Sequence, residues 1–125
     1  MSSSDSPTVL VADDNADTVI VVSQTLAMSG YEVVTASSVR QALDLLDERS
    51  DIGVVVSDIR MPEEDGFDFL RVLRVRFPSM PMILMTGNAI TAEDVVPAGA
   101  TILQKPFDIG ELERLISDSI AQSRH

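Results

Sequence analysis

The chain has 125 residues, 45% of them apolar and 23% charged. That is the size of one domain, at roughly 100–200 residues each, with an ordinary globular composition. Nine Lys and Arg stand against twenty Asp and Glu, for a net charge of −11, so the surface repels phosphate backbones and anionic lipid and is unsuited to direct nucleic-acid or membrane binding. There is no cysteine, and the single histidine, His125, is the last residue. Disulfides, thiolate nucleophiles and Cys-ligated metals are excluded, and a Ser-His-Asp triad, a His-rich metal site or a phosphohistidine relay within the chain is not expected from this one terminal histidine. Oxygen ligands remain, and these favour Mg²⁺, Ca²⁺ or Mn²⁺.

Residues 1–7 lack the basic and apolar regions of a signal peptide and read as a short disordered lead. No apolar run approaches the ~18 residues of a membrane span. A cytoplasmic location is expected, with the folded unit over residues 8–123.

From there two kinds of segment alternate. Thr8–Ala12 is a short β-branched run that stops at Asp13. Thr18–Met28 has helical spacing, with Val19, Val22 and Leu26 on one face and Gly30 as a stop. Glu32–Ala36 reads as a second strand. Ser38–Arg49 is amphipathic through Val39, Ala42, Leu43 and Leu46, and Ser38 and Gln41 have capping-box spacing. Ile52–Ser57 is the most continuous apolar run and leads into Asp58 and a polar loop, residues 60–66.

Phe67–Phe77 is helical and ends at Pro78. Met82–Thr86 is a strand. Thr91–Ala98 is a weak helix because Pro97 lies inside it. Thr101–Gln104 is a brief strand before Lys105-Pro106. Asp108–Ser123 is the last helix, with Ile109, Leu112, Leu115, Ile116 and Ile120 inward and another capping-box pair in Asp108 and Glu111. Met80, Met82 and Met85 read as packing residues. The pattern gives about five β-α units. Its strands are continuous apolar runs, as in a parallel sheet buried on both faces, so the expected fold is a doubly wound five-stranded α/β sandwich with a shortened or frayed fourth helix.

Open parallel sheets bind ligands beyond the carboxyl ends of their strands. At those ends stand Asp13 and Asp14, Asp58, Thr86 and Lys105. Singly, each has an ordinary explanation: an Asp as turn residue or helix cap, a strand threonine, a surface lysine. Together they place carboxylates, a hydroxyl and an ammonium on one edge. Clustered carboxylates repel unless a cation sits among them, and the set suits octahedral Mg²⁺. A carboxylate beside such an ion can act as a nucleophile in phosphoryl transfer, with Lys105 and Thr86 sharing the phosphoryl charge. Neither G-x-x-x-x-G-K-[ST] nor G-x-G-x-x-G is present.

The stretches Val11-Ala12-Asp13-Asp14, Ser57-Asp58-Ile59-Arg60-Met61-Pro62-Glu63-Glu64-Asp65-Gly66, Met85-Thr86-Gly87 and Lys105-Pro106-Phe107 resemble the receiver domain of two-component response regulators. The likeness runs from Thr8 to Ile120. It implies a flavodoxin-like (β/α)5 fold, and a bacterial phosphorelay as its setting. It further implies Asp58 as phosphoacceptor, Mg²⁺ held by Asp14 directly and Asp13 mainly through water, with Asp58 and the backbone carbonyl of Arg60 completing the site. Thr86 would bond the phosphoryl group, and Lys105, set by a cis bond to Pro106, would pair with it. Asp65 is read as a turn or cap residue. The implied donor is a sensor histidine kinase or a histidine phosphotransfer protein. The domain would catalyse part of the transfer itself, shift between two states on phosphorylation, and reset by hydrolysis.

Two features depart from that family. The aromatic residue usual three positions before the lysine is Ile102 here. The Thr86–Lys105 segment is also short, which puts the usual output and dimer face in doubt. Arg60 and Asn88 occupy positions that tune phosphoryl lifetime in the family. The competing readings are a phosphorylation-independent docking module on the same fold, a Mg²⁺-dependent phosphatase and a flavin module. Asp58-Ile59-Arg60 lacks the D-x-D of such phosphatases, and residues 13–17 are too acidic for a flavin phosphate. The domain is expected either to stand alone or to form part of a longer regulator.

Overall fold

A computed structural model describes residues 7–60, 66–87, 100–105 and 108–123. Its elements run β1 (Thr8–Ala12), α1 (Ala16–Met28), β2 (Val33–Ala36), α2 (Val39–Glu48), β3 (Ile52–Asp58), α3 (Gly66–Arg76), β4 (Met82–Thr86), β5 (Ala100–Gln104) and α4 (Ile109–Ser123). The five strands form one sheet in the order β2-β1-β3-β4-β5, with all four pairings parallel. The doubly wound five-stranded sheet expected from the sequence is therefore present. The weak helix expected over Thr91–Ala98 and the cis bond at Pro106 lie outside the described residues.

Strand alternation sorts the core into two layers. Leu10, Ala12, Val55, Met82 and Leu84 face α2 and α3, where they meet Val39, Ala42, Leu46, Phe69, Leu70 and Leu73. Val9, Val11, Val54, Val56, Ile83 and Met85 face α1 and α4, where they meet Val22, Leu26, Leu112 and Ile116. Successive side chains on a strand point to opposite faces, so a run such as Val54-Val55-Val56 feeds both layers, and all three are fully buried. This is why the strands read as unbroken apolar runs. Met82 and Met85 lie in opposite layers, and Met80 packs at the margin of the first.

The helix ends obey local rules. Gly30, at φ 98°, follows the C-cap Ser29; its N–H donates to Ala27 O and that of Tyr31 to Leu26 O. That pair of bonds is the Schellman arrangement, which needs a residue able to turn left-handed. Ser38 caps α2 by accepting from Gln41 N. The reciprocal arm of the capping box goes one residue further back, because Gln41 Oε1 accepts from Ser37 N. In α4 the backbone carbonyl of Asp108 accepts from Glu111 and Leu112.

Candidate functional site

Strand register places the polar residues side by side. Ala12 of β1 pairs with Ser57 of β3, so Asp13 and Asp58 come next on neighbouring strands. Asp58 pairs with Met85 of β4, and Thr86 with Gln104 of β5. Thr86 and Lys105 thus extend the same row, and Lys105 N donates to Thr86 O at 2.6 Å. Four strands deliver one residue each to one edge because they end in step.

Three of these residues are deeply set. Asp13 is 1% exposed and Thr86 6%, while the Asp58 side chain is 13% exposed. Asp14 is exposed. One carboxylate oxygen from each of Asp13, Asp14 and Asp58 lies within 4.8 Å of the others. The Lys105 ammonium reaches in between, 3.4 Å from Asp58 Oδ1 and 3.6 Å from Asp13 Oδ2. Both distances are long for a charge-assisted hydrogen bond, so one cation is shared loosely between two anions.

The electrostatics follow. Burial raises the Asp13 carboxyl above its ordinary range; the N–H of Asn15 counters this, Asp58 adds to it, Lys105 opposes it and Asp14 adds a little. Asp13 Oδ1 accepts from Asn15 N at 2.9 Å. Asp13 Oδ2 is buried and accepts no hydrogen bond among the described residues. A buried carboxylate oxygen without a donor is costly, and a hard cation with oxygen ligands is the partner that such a set of three carboxylates fits.

The end of β3 is held from behind. Gly66 N donates to Ile59 O at 2.6 Å. A Cβ on Gly66 would lie 2.9 Å from Asp58 O, Ile59 Cα and Leu84 Cδ2. Only a residue without a side chain lets α3 begin this close to the Asp58–Ile59 peptide. Ser57 is fully buried and its hydroxyl donates to Asp58 O at 2.9 Å.

The structure therefore gathers Asp13, Asp14, Asp58 and Lys105, with Thr86 next to them in the row. Arg60 is exposed, two residues beyond Asp58. Asn88, Asp65 and Pro106 lie outside the described residues. Ile102 is half-buried and packs against the α2–α3 layer. The sequence reading missed Asn15: it left the Asp pair as possible caps, whereas Asn15 Oδ1 caps α1 by accepting from Asp17 N and Thr18 N. Asn and Asp rank alike as N-caps, so residue type alone does not pick Asn15 out from the aspartates before it. With the cap supplied by Asn15, α1 starts at Ala16 rather than Thr18 and neither Asp13 nor Asp14 is needed for it.

The family model for the response regulator receiver domain matches residues 9–117. The chain belongs to this family. It is 33% identical over 119 residues to the transcriptional regulatory protein ZraR of Klebsiella oxytoca, covering 93% of this chain and 27% of that protein. The chain spans about a quarter of the length of the curated relatives it matches. Among solved structures, a receiver domain protein from Clostridium thermocellum superposes with a TM-score of 0.84 at 31% identity, covering 94% of this chain and 97% of that one. The beryllofluoride-activated NtrC4 receiver domain dimer superposes with a TM-score of 0.84 at 27% identity, covering 93% and 98%. The edge cluster of Asp13, Asp14, Asp58 and Lys105 is the receiver-domain cluster that serves aspartyl phosphorylation.

Proposed function

We propose that Asp58 is the phosphoacceptor of this receiver domain, that Mg²⁺ supports the transfer, and that the donor is a phosphohistidine on a sensor histidine kinase or a histidine phosphotransfer protein. The observation that carries this reading is the position of Asp58. Its carboxylate lies 3.4 Å from the Lys105 ammonium, beside the Asp13 and Asp14 oxygens, and its side chain is 13% exposed where that of Asp13 is fully buried, so a phosphoryl donor can reach it.

In this reading a carboxylate oxygen of Asp58 attacks phosphorus, the phosphorus–nitrogen bond of the donor breaks, and the imidazole leaves with the electron pair. Asp58 becomes an acyl phosphate. Asp13, Asp14, Asp58 and the carbonyl of Arg60 would hold Mg²⁺, which supplies a positive charge against the phosphoryl oxygens. The Lys105 ammonium, already among the carboxylates, pairs with a second oxygen. The Thr86 hydroxyl donates to a third. Water attack on the acyl phosphate returns the carboxylate, so the domain catalyses steps on itself rather than on a separate substrate.

A phosphoryl group brings about −1.5 to −2 of charge, and Lys105 is then drawn from Asp13 toward it. With Ile102 in place of an aromatic side chain, no ring rotation at that position accompanies the change. Among the described residues no helix is long and apolar enough to cross a membrane, and we place the domain in the cytoplasm with its donor.

The test is intact-protein mass after incubation with Mg²⁺ and acetyl phosphate, for wild type and Asp58→Asn. The expected result is a gain of one phosphoryl group that needs Mg²⁺ and is absent in the variant. No gain from this donor or from a histidine-phosphorylated protein, with no Mg²⁺ binding, would overturn the reading in favour of constitutive docking.

A further inference from the structure

We infer that Asn15 is a positioning residue for the cation: by capping α1 it locks the Asp13 carboxylate in the orientation that leaves Asp13 Oδ2 open. This rests on the reading of the cluster as a Mg²⁺ site and deepens it.

Two sets of bonds meet at Asn15. Its side-chain oxygen accepts from Asp17 N at 3.0 Å and Thr18 N at 3.3 Å. Its own backbone N–H donates to Asp13 Oδ1 at 2.9 Å. The first set fixes Asn15 in the extended conformation of a cap, φ −88° and ψ 108°. That conformation aims the N–H back at Asp13. The bond uses one oxygen of Asp13 and sets the plane of the carboxylate. The other oxygen is then held buried, without a hydrogen bond among the described residues, toward Lys105 and the Asp14 and Asp58 oxygens.

The arrangement has a direct chemical consequence. A free carboxylate beside Lys105 would rotate to give the ammonium a close contact, and the cation ligand would be lost to an ion pair. Held by Asn15, Asp13 cannot follow, and the Lys105 distance stays at 3.6 Å. Residues that orient a metal's ligands typically govern its affinity by about 10–100-fold. A helix cap that does nothing else governs only stability.

The experiment measures Mg²⁺ affinity by calorimetric titration of the whole chain, alongside thermal midpoint, for wild type, Asn15→Ala, Asn15→Gly and Asn15→Ser. Glycine is included because it costs a cap position little stability, so that variant remains folded if the alanine one does not. The Mg²⁺ dissociation constant should rise about tenfold in the alanine and glycine variants. Serine, which caps as well as asparagine, should keep it close to wild type. The Mg²⁺ concentration that gives half-maximal phosphorylation should rise in parallel with the dissociation constant in the alanine and glycine variants. In metal-free wild type the Asn15 amide should be protected from hydrogen exchange, and this protection should fall in the alanine and glycine variants. If the midpoint falls in the alanine variant while alanine and glycine both leave Mg²⁺ affinity at the wild-type value, Asn15 is a cap only and the inference is wrong. If wild type itself neither binds Mg²⁺ nor gains a phosphoryl group, the functional reading fails first.

Discussion

The two ends of the sheet use the same ingredients to opposite effect. At the amino ends of β1 and β3, Asp51 receives a forked pair of bonds from Arg49, 3.0 and 2.7 Å, and a third from the Thr8 hydroxyl at 2.6 Å. Glu32 stands at the edge of that group, 4.0 Å from Arg49. The Arg49 bonds, then the Thr8 bond, lower the Asp51 carboxyl from 3.8 to about 2. At the carboxyl ends of the same strands three carboxylates cluster, two of them, Asp58 and Asp13, share the Lys105 ammonium at 3.4 and 3.6 Å, and burial raises the Asp13 carboxyl. The first end is a matched, exposed ion pair. The second is a charge imbalance held in place by a stable sheet, open to a cation and a phosphoryl group. The difference lies in pairing rather than residue type, and it separates the end that supports the fold from the end that does chemistry.

Substitutions can sharpen that contrast. The largest effect is expected from Lys105→Ala. Losing a positioned positive group that meets developing phosphoryl charge typically costs about 10²–10³ in rate. The initial rate of mass gain with acetyl phosphate at saturating Mg²⁺ should fall by that order, while Mg²⁺ affinity should hold or tighten because the cluster loses its competing cation. An unchanged rate would remove Lys105 from the mechanism.

Gly66→Ala comes next. Two of its three clashes at 2.9 Å are with backbone, so no side-chain rotation relieves them. Overpacking of this kind costs about 1–3 kcal/mol, read as a lower urea midpoint. Phosphorylation should slow as well, because the displaced peptide is that of Asp58 itself.

The smallest effect is at the matched end. Asp51→Asn should cost under about 1 kcal/mol, since the pair is exposed and screened by water. The sign of its pH dependence is set by the lowered carboxyl. Its contribution is full above the ordinary value of 3.8 and is lost as the pH falls toward about 2. The stability difference between wild type and Asp51→Asn, followed by urea unfolding from neutral pH downward, should therefore close across that window.

Much of this was legible from the chain. The strands could be placed because each feeds two buried layers, as Val54, Val55 and Val56 do. The site could be placed because Asp13, Asp58, Thr86 and Lys105 each follow or end such a run, and parallel register then aligns them. What could not be read were relations set by bond geometry. Asn15 next to two aspartates gives no sign which of the three will cap the helix. Gly66 reads as a turn residue until the approach of the Asp58 carbonyl is seen. The loose sharing of Lys105 depends on tenths of an ångström. The Arg49–Asp51–Thr8 group was also missed, because Thr8 and Asp51 are far apart in the chain and nothing local marks them as partners.

The central claim is that the carboxyl-end cluster is an imbalance awaiting a cation. Thermal unfolding of wild type and Asp13→Asn, each with and without Mg²⁺, tests it most directly. Without Mg²⁺ the variant should be the more stable of the two, because a buried and poorly paired carboxylate has become neutral. With Mg²⁺ the wild type should gain stability as mass action requires, and the variant should gain less, so that the order narrows or reverses. A wild type indifferent to Mg²⁺, with an Asp13→Asn variant less stable in its absence, would mean that the cluster is already satisfied and would contradict the account.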